Sequence, residues 1–365
     1  DDRVSRGLGD VYKRQGRDIM WDQNYRHNLE IRTALENVYF NYTGDKKSDD
    51  WMSFEVYLKR LWFSNGIHHH YSNDKIKPEF ELNYLTKILS STNTIISDDA
   101  LDVIFNDLDS KKVNIAKGID NVLLSAVNFY GPNVTSKDVY DFYSKVKSPN
   151  PLKPLSHGLN SRLVKENGII LEQVYKSGGL YGSAIDEIIK WLELALDVAE
   201  NKPQGDALSL LITYYKTGDL QTWDDYNVAW TSATDGNIDY INSFIEVYND
   251  PLGYRGSYEN IVQIKDFDMS AKMAVLSENA QWFEDNSPLI EEHKKKNVVG
   301  VSYKTVNVAG EAGDASPSTP IGVNLPNANW IRAAVGSKSV SLGNIINAYN
   351  NCLLYTSPSP RDTRS

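Results

Sequence analysis

The sequence predicts an α+β fold dominated by helix, and three observations carry that prediction. Apolar residues recur at helical spacing through most of the chain up to Lys147. One Asn-Gly hairpin signal sits near its middle, and a stretch rich in small residues, Gly and Pro lies near its end.

In "NLEIRTALENVYFNY", Leu29, Ile31, Leu35, Val38 and Tyr39 fall near helical spacing, and "WMSFEVYLKRLWF" continues in the same manner. Shorter amphipathic segments follow between 101 and 147, among them "TSKDVYDFYSKV", with Thr135 or Ser136 placed to cap. "KSPNPLKPLSHGLN" holds three prolines and reads as a connector. "SRLVKENGIILEQVY" is two strand-like runs joined by Asn167-Gly168, the pair that a tight hairpin turn favours. A helix is predicted next, with Ser183 as cap, Asp186 completing a capping-box-like pair, and a stripe of Ile185, Ile188, Ile189, Leu192, Leu196 and Ala199. It stops at "NKPQG". A second helix is predicted over 205–216 and a third from Ile238 towards Tyr248, broken by "NDPLGYRG". Asp268 is the expected cap of another that reaches Phe283. "VAGEAGDASPSTPIGVNLPNANW" reads as loop with one short strand at most.

The two ends of the chain share an origin. "DVYKRQ" can be encoded GAT GTG TAT AAG AGA CAG, and the reverse complement, read one base out of frame, spells Cys352 to Thr356 and the start of Ser357. This is one DNA sequence read on opposite strands, as in the translated end of a transposase-type sequencing adapter. Residues 1–15 and 352–365 are therefore set aside, and residues 16–351 are expected to be cut from a longer gene at both ends.

Lys and Arg number 38 against 48 Asp and Glu, a net charge of −10, and setting the ends aside moves it to about −12. That balance argues against nucleic acid or an anionic membrane as partner. The one cysteine, Cys352, lies in a discarded end, so neither a disulfide nor a thiolate ligand is expected. No apolar run approaches the ~20 residues of a membrane span. A cytoplasmic protein is expected, with export left open because the true N-terminus is missing. The many Tyr and Trp residues among polar neighbours read as helix-packing rings whose polar tips reach water.

"NGIHHHYS" draws attention as a metal site, but its spacing is poor. Neighbours on a strand point to opposite faces and on a helix lie about 100° apart, so one metal could take at most two of His68, His69 and His70. Lining of a polar cleft and ordinary packing are the alternatives. No HExxH occurs, nor the one-residue-longer HExxxH, and there is no Gly-rich phosphate loop or GxSxG. "LIEEHKKK" around His293 reads as a charged helix end.

"FIEVYNDPLGYRGSYE" at 244–259 and "PIGVNLPN" at 320–327 resemble two substrate-binding regions of the dipeptidyl peptidase III family of zinc exopeptidases. "ENKPQGDALSLLITYYKTGDLQTW", "MSAKM" and "GSKSVSLGNI" match family patterns in the same order, and "WFSNGIHHHYS" resembles the bacterial branch. The similarity is collinear through nearly all of 16–351. It implies a two-lobed peptidase with a small β-core in one lobe. Residues 16–266 and 308–351 are expected in that lobe, with 267–307 crossing into the zinc-bearing one. The family's HExxGH and EExxxD zinc motifs would lie beyond Asn351. The resemblance therefore implies zinc in the full-length enzyme, none bound by this chain, and no activity of this chain alone.

A dipeptidyl peptidase must count two residues from a free amine, a reach of at most ~7 Å of extended chain. An ammonium anchor needs an acceptor carboxylate and neutral acceptors. By resemblance Glu246 supplies the carboxylate, Asn324 and Asn327 the amides, and Tyr248 a hydroxyl directed at the scissile region, with Glu259 as a further substrate-binding acid. The implied activity is release of dipeptides from the N-termini of short peptides. A non-catalytic peptide- or solute-binding protein on the same scaffold is the rival. On spacing alone, Glu246 and Tyr248 could cap or pack at a helix end, and Asn324 and Asn327 could serve a turn around Pro326.

Overall fold

The structure is a computed structural model that describes residues 16–298, 301–316 and 320–348; both discarded ends lie outside the described residues. Helices α1 (16–24), α2 (Asn28–Asn41), α3 (Asp49–Ser64), α4 (Leu82–Ser91) and α5 (Asp98–Phe105) share one core around Trp21, Tyr25, Trp51, Phe54 and Leu58. The Ser48 hydroxyl accepts from the Trp51 N–H and the Ser97 hydroxyl from the Ala100 N–H. Each cap is followed by two Asp in the first turn, where the helix dipole favours them. At α6 (Ser136–Tyr143) the cap is Thr135, which forms a reciprocal box with Asp138.

The Asn-Gly signal holds. Strands β1 (Ser161–Glu166) and β2 (Ile169–Val174) pair antiparallel, and Asn167 and Gly168 between them have φ of +50° and +80°. Two consecutive positive φ values make the turn that matches strand twist.

Helices α7 (Gly182–Asp197), α8 (Lys202–Thr217) and α9 (Leu220–Ser232) form the next layer. Ile185, Ile189 and Leu192 of the predicted stripe are buried, but Ser183 is not the cap of α7. Left-handed Tyr181 holds that position, and Asp186 instead accepts from the Ser177 hydroxyl at 2.5 Å. Helix α8 starts earlier than predicted because Asn201 caps it and Pro203 suits its first turn. Helix α9 was not predicted. Asp219 caps it, and its buried face mixes Trp223, Tyr226 and Trp230 with Asp224, Asn227 and Thr231.

The segment expected as a third helix is instead a strand, β3 (Ile238–Glu246), paired antiparallel with β4 (Ser257–Lys265). Ile238, Ile241 and Ile245 imitate helical spacing. Residues 241–245 are all buried, however, so both faces of the strand are covered and no polar alternation marks it. Then come α10 (Phe267–Glu278), capped by Asp266 rather than Asp268, and a separate short α11 (Ala280–Asp285). Strands β5 (Val301–Gly313) and β6 (Gly322–Leu325), helix α12 (Asn329–Ala334), strand β7 (Ser337–Leu342) and helix α13 (343–348) complete the described order. The presumed loop thus contributes the end of β5 and all of β6.

The five-stranded sheet runs β3-β4-β5-β7-β6, antiparallel except for the parallel β5–β7 pair. The sheet curls so that its first and fourth strands approach each other. Buried Lys338 of β7 donates to Asp239 of β3 at 2.9 Å, with its ammonium 4.2 Å from the centre of the Trp230 ring. Along the outer side of β3, Gln204 donates to the Ile238 carbonyl (2.9 Å), Trp230 to the Tyr240 carbonyl (3.0 Å), and Glu200 accepts from the Ile238 N–H (2.9 Å). The molecule is therefore α+β and helix-dominated. Among the described residues no helix is long and apolar enough to cross a membrane.

Candidate substrate cleft

The end of β3 is shaped by a bulge. Phe244 pairs with Tyr258 and Glu246 with Ser257, which leaves Ile245 as the extra residue. A bulge re-aims the side chains after it. Gly256 makes this one possible: a Cβ there would stand 2.7 Å from the Phe244 carbonyl carbon and 2.9 Å from the Ile245 nitrogen. Beyond the bulge, Asp250 organises the turn by accepting from the backbone N–H groups of Leu252, Tyr254 and Arg255 and from the Tyr130 hydroxyl. Arg255 is fully buried, sits between the Tyr130 and Tyr143 rings, and donates to Gly158 O and Ser161 Oγ. The strand end that carries Glu246 and Tyr248 is thus anchored to the β1–β2 hairpin.

A cleft of about 620 Å³ opens beside that strand end, and Glu246, Tyr248, Glu259 and Asn324 all line it. Asn327 joins them at the rim, donating from Nδ2 to Glu246 Oε1 at 3.2 Å. Four of the five residues expected from the resemblance therefore share this cleft, and the fifth, Asn327, is tied to it through Glu246. The predicted helix end does not exist there, so Glu246 and Tyr248 cap no helix. A larger cavity of about 710 Å³ lies where Ile245 and Val247 face, lined by Tyr143, Trp223, Tyr226 and Trp230. Its lining includes Asn327 but no carboxylate and no ammonium, whereas the smaller cleft carries both.

Burial pushes the Glu246 carboxyl above its ordinary value; the Asn327 hydrogen bond pulls it back, and the Asp314 carboxylate raises it again. Glu259 is buried on β4, its Oε1 without a hydrogen-bond partner, and burial raises its carboxyl well above the usual range, with Asp314 and Glu246 adding to the effect. Burial of that kind favours the neutral acid over the carboxylate. The Tyr248 ring is largely exposed along the cleft, whereas its hydroxyl donates to Asp314 Oδ2 at 2.5 Å. Desolvation against the cleft wall, and then the Asp314 charge, raise the phenol's pKa above normal.

Asp314, Asn249 and Lys112 belong to the cleft and were not expected from the sequence. Asn249 donates to Asp314 Oδ1 at 3.0 Å and to Ser257 Oγ at 2.9 Å. Lys112 is buried and lines the cleft; burial lowers its ammonium's pKa, and Asp314 opposes that shift. Of the three histidines, His70 lines the cleft, with Nδ1 3.2 Å from Ser64 Oγ. His68 is buried with Nε2 2.7 Å from the Asp109 carbonyl, and burial brings it down to about 4. His69 Nδ1 accepts from the N–H groups of Tyr71 and Ser72. Among the described residues no three His, Cys, Asp or Glu stand close enough together to hold a metal ion. What the cleft offers is a carboxylate flanked by amides, which suits a cation rich in N–H donors.

The family model described as "Peptidase family M49" matches residues 156–361. "Dipeptidyl peptidase 3" of Dictyostelium discoideum is 27% identical over 304 residues, covering 73% of this chain and 42% of that protein. "Dipeptidyl peptidase 3" of Homo sapiens is 29% identical over 168 residues, 46% of this chain and 22% of that protein. The chain thus spans less than half the length of these relatives. Among solved structures, "Structure of DPP III from Caldithrix abyssi" superposes with a TM-score of 0.68 at 21% identity, covering 97% of this chain and 57% of that one. "Structure of dipeptidyl-peptidase III from Corallococcus sp. strain EGB" gives 0.58 at 16% identity, covering 93% and 55%. At those identities the superpositions speak for the fold alone.

Proposed function

The chain belongs to peptidase family M49, and we propose that it forms the amine-binding half of a dipeptidyl peptidase acting on short peptides. Glu246 accepts from the peptide ammonium, Asn324 and Asn327 flank it, Tyr248 faces the scissile region and Glu259 is a further wall of the subsite. The catalytic zinc and its ligands are assigned to sequence beyond Asn351, and the cytoplasm is the proposed compartment. The observation that supports this reading most is the convergence of Glu246 and Asn327, which opposite ends of the sheet bring within 3.2 Å. The acidic net charge agrees with a cationic amine as the recognised group and disfavours nucleic acid.

The test is a two-by-two comparison in the full-length enzyme, Glu246→Gln against wild type on a free peptide and its N-acetylated form. A charge-assisted hydrogen bond contributes roughly 1.5–3 kcal/mol, so kcat/KM on the free peptide falls about one to two orders of magnitude. The acetylated peptide is a poor substrate for both proteins and loses little further. An equal loss on both peptides would remove Glu246 from the amine anchor. Absence of cleavage by the intact wild type, with peptide binding retained, would turn the reading into that of a binding protein.

A further inference from the structure

A phenol hydroxyl has one proton to donate, and Tyr248 gives it to Asp314. In this arrangement nothing is left for an oxygen that develops charge on a substrate. Asp314 is itself fixed. Its second oxygen accepts from Asn249, and its backbone N–H donates to Tyr258 O at 2.9 Å. Gly313 before it sits at φ +72°, where a Cβ would lie 2.1 Å from Tyr258 O. The charged and titratable groups that act on this pair are Glu246 from β3, Glu259 from β4 and Lys112 from the segment after α5.

Resting on the reading of Glu246 as amine anchor, we infer that Asp314 is a positioning residue that holds the Tyr248 hydroxyl out of use until a peptide's free ammonium takes over its carboxylate. An ammonium carries three donors, so Glu246 does not exhaust it. Its charge-assisted bond to a carboxylate outcompetes a neutral phenol. The released hydroxyl then donates to the developing oxyanion. No covalent bond changes in this exchange; one donor replaces another on Asp314. The amine is thereby read twice, once for placement and once for arming the donor, and blocking it costs kcat as well as KM.

The experiment measures kcat and KM in the full-length enzyme for tetraalanine and N-acetyl-tetraalanine, using wild type, Asp314→Asn, Tyr248→Phe and the double variant. Acetylation is expected to lower wild-type kcat about tenfold, the worth of one hydrogen bond in the transition state. Asp314→Asn shrinks that kcat ratio to about threefold or less and changes nothing further once Tyr248 is Phe. An unaltered ratio in Asp314→Asn, or the same effect in the Tyr248→Phe background, overturns the inference. A second readout is the fluorine resonance of Tyr248 in enzyme labelled with 3-fluorotyrosine, identified by its loss in Tyr248→Phe. Alanyl-alanine amide shifts it, the N-acetyl form does not, and Asp314→Asn shifts it without ligand. A resonance indifferent to Asp314→Asn also overturns the inference. If neither peptide binds or is cleaved, the amine anchor fails and the switch with it; if the free peptide is bound and cleaved but Asp314→Asn alters neither the kcat ratio nor the resonance, the switch alone fails.

Discussion

Asn327 donates to Glu246 across 3.2 Å and joins residues 81 positions apart that belong to opposite ends of one sheet. Glu246 ends β3, the first strand in the order, and Asn327 follows β6, the last. The Glu246–Asn327 pair therefore exists only where the sheet curls on itself.

Removing that donor has a direction. The Asn327 bond lowers the pKa of a carboxyl that burial raises, so Asn327→Ala lets it rise further. The ionised form binds the ammonium, and the acid limb of the kcat/KM profile therefore moves to higher pH. At neutral pH kcat/KM falls roughly tenfold for a free peptide, in keeping with one lost hydrogen bond. A pH profile in which the variant loses rate with no displacement of the acid limb would show that Asn327 acts on substrate and not on Glu246.

Glu259 makes a pH prediction about stability. Its folded carboxyl titrates above its unfolded value, so between the two the native state holds a proton that the unfolded chain has released. Stability conferred by the neutral acid is full below the unfolded value and declines as pH rises towards the folded one. Thermal melts of wild type and Glu259→Gln are expected to coincide below about pH 4. Above that the variant pulls ahead, by a margin that widens as pH rises towards the folded value. A difference that stays constant across pH would mean that Glu259 is ionised in the fold.

Gly256→Ala places a methyl against main chain, not against a side-chain end that can swing away. The β3 bulge has to shift, at a cost of roughly 1–3 kcal/mol. Because the bulge aims Glu246, activity on free peptides falls by more than the lost stability explains at temperatures where the variant is folded. Circular dichroism melts beside peptide kinetics check this. A variant of unchanged stability and activity would remove the bulge from the design of the site.

Helix α10 buries Ser270 alone and α11 buries nothing, while Phe267, Trp282, Phe283, Leu289 and Ile290 are each exposed by half or more. A surface of that kind wants cover. The 365-residue chain in isolation is expected to bind an apolar dye and to self-associate with concentration, and Trp282→Ser with Phe283→Ser is expected to reduce both. Sedimentation velocity showing a monomer at every concentration would contradict this.

The hairpin was legible because Asn167-Gly168 dictates its turn locally, and the capped helices because their apolar stripes repeat. Strand β3 was misread because covering both of its faces erased the alternation that reveals strands, while three isoleucines fell at helical spacing. Helix α9 hid because its inner face carries Asp224, Asn227 and Thr231 among its rings. The residues of the cleft emerged only through resemblance, since Glu246, Asn324 and Asn327 gather by sheet closure and not by spacing. Asp314 left no local signal: it sits in "GEAGDAS", which reads as loop, and its two donors come from a turn 65 and 66 positions earlier.

The helical side chains laid along β3 have a consequence for solubility. A strand at the margin of a sheet is a template on which another molecule's strand can dock, and proteins suppress such docking by covering or charging the margin. Gln204, Trp230 and Glu200 meet the main-chain groups of β3 that would otherwise recruit a neighbour. Trp230→Phe would keep an aromatic ring at the site yet remove the indole N–H that meets the Tyr240 carbonyl and Asp239. The damage would appear first as cross-molecular β pairing during expression, with the cleft at Glu246 untouched.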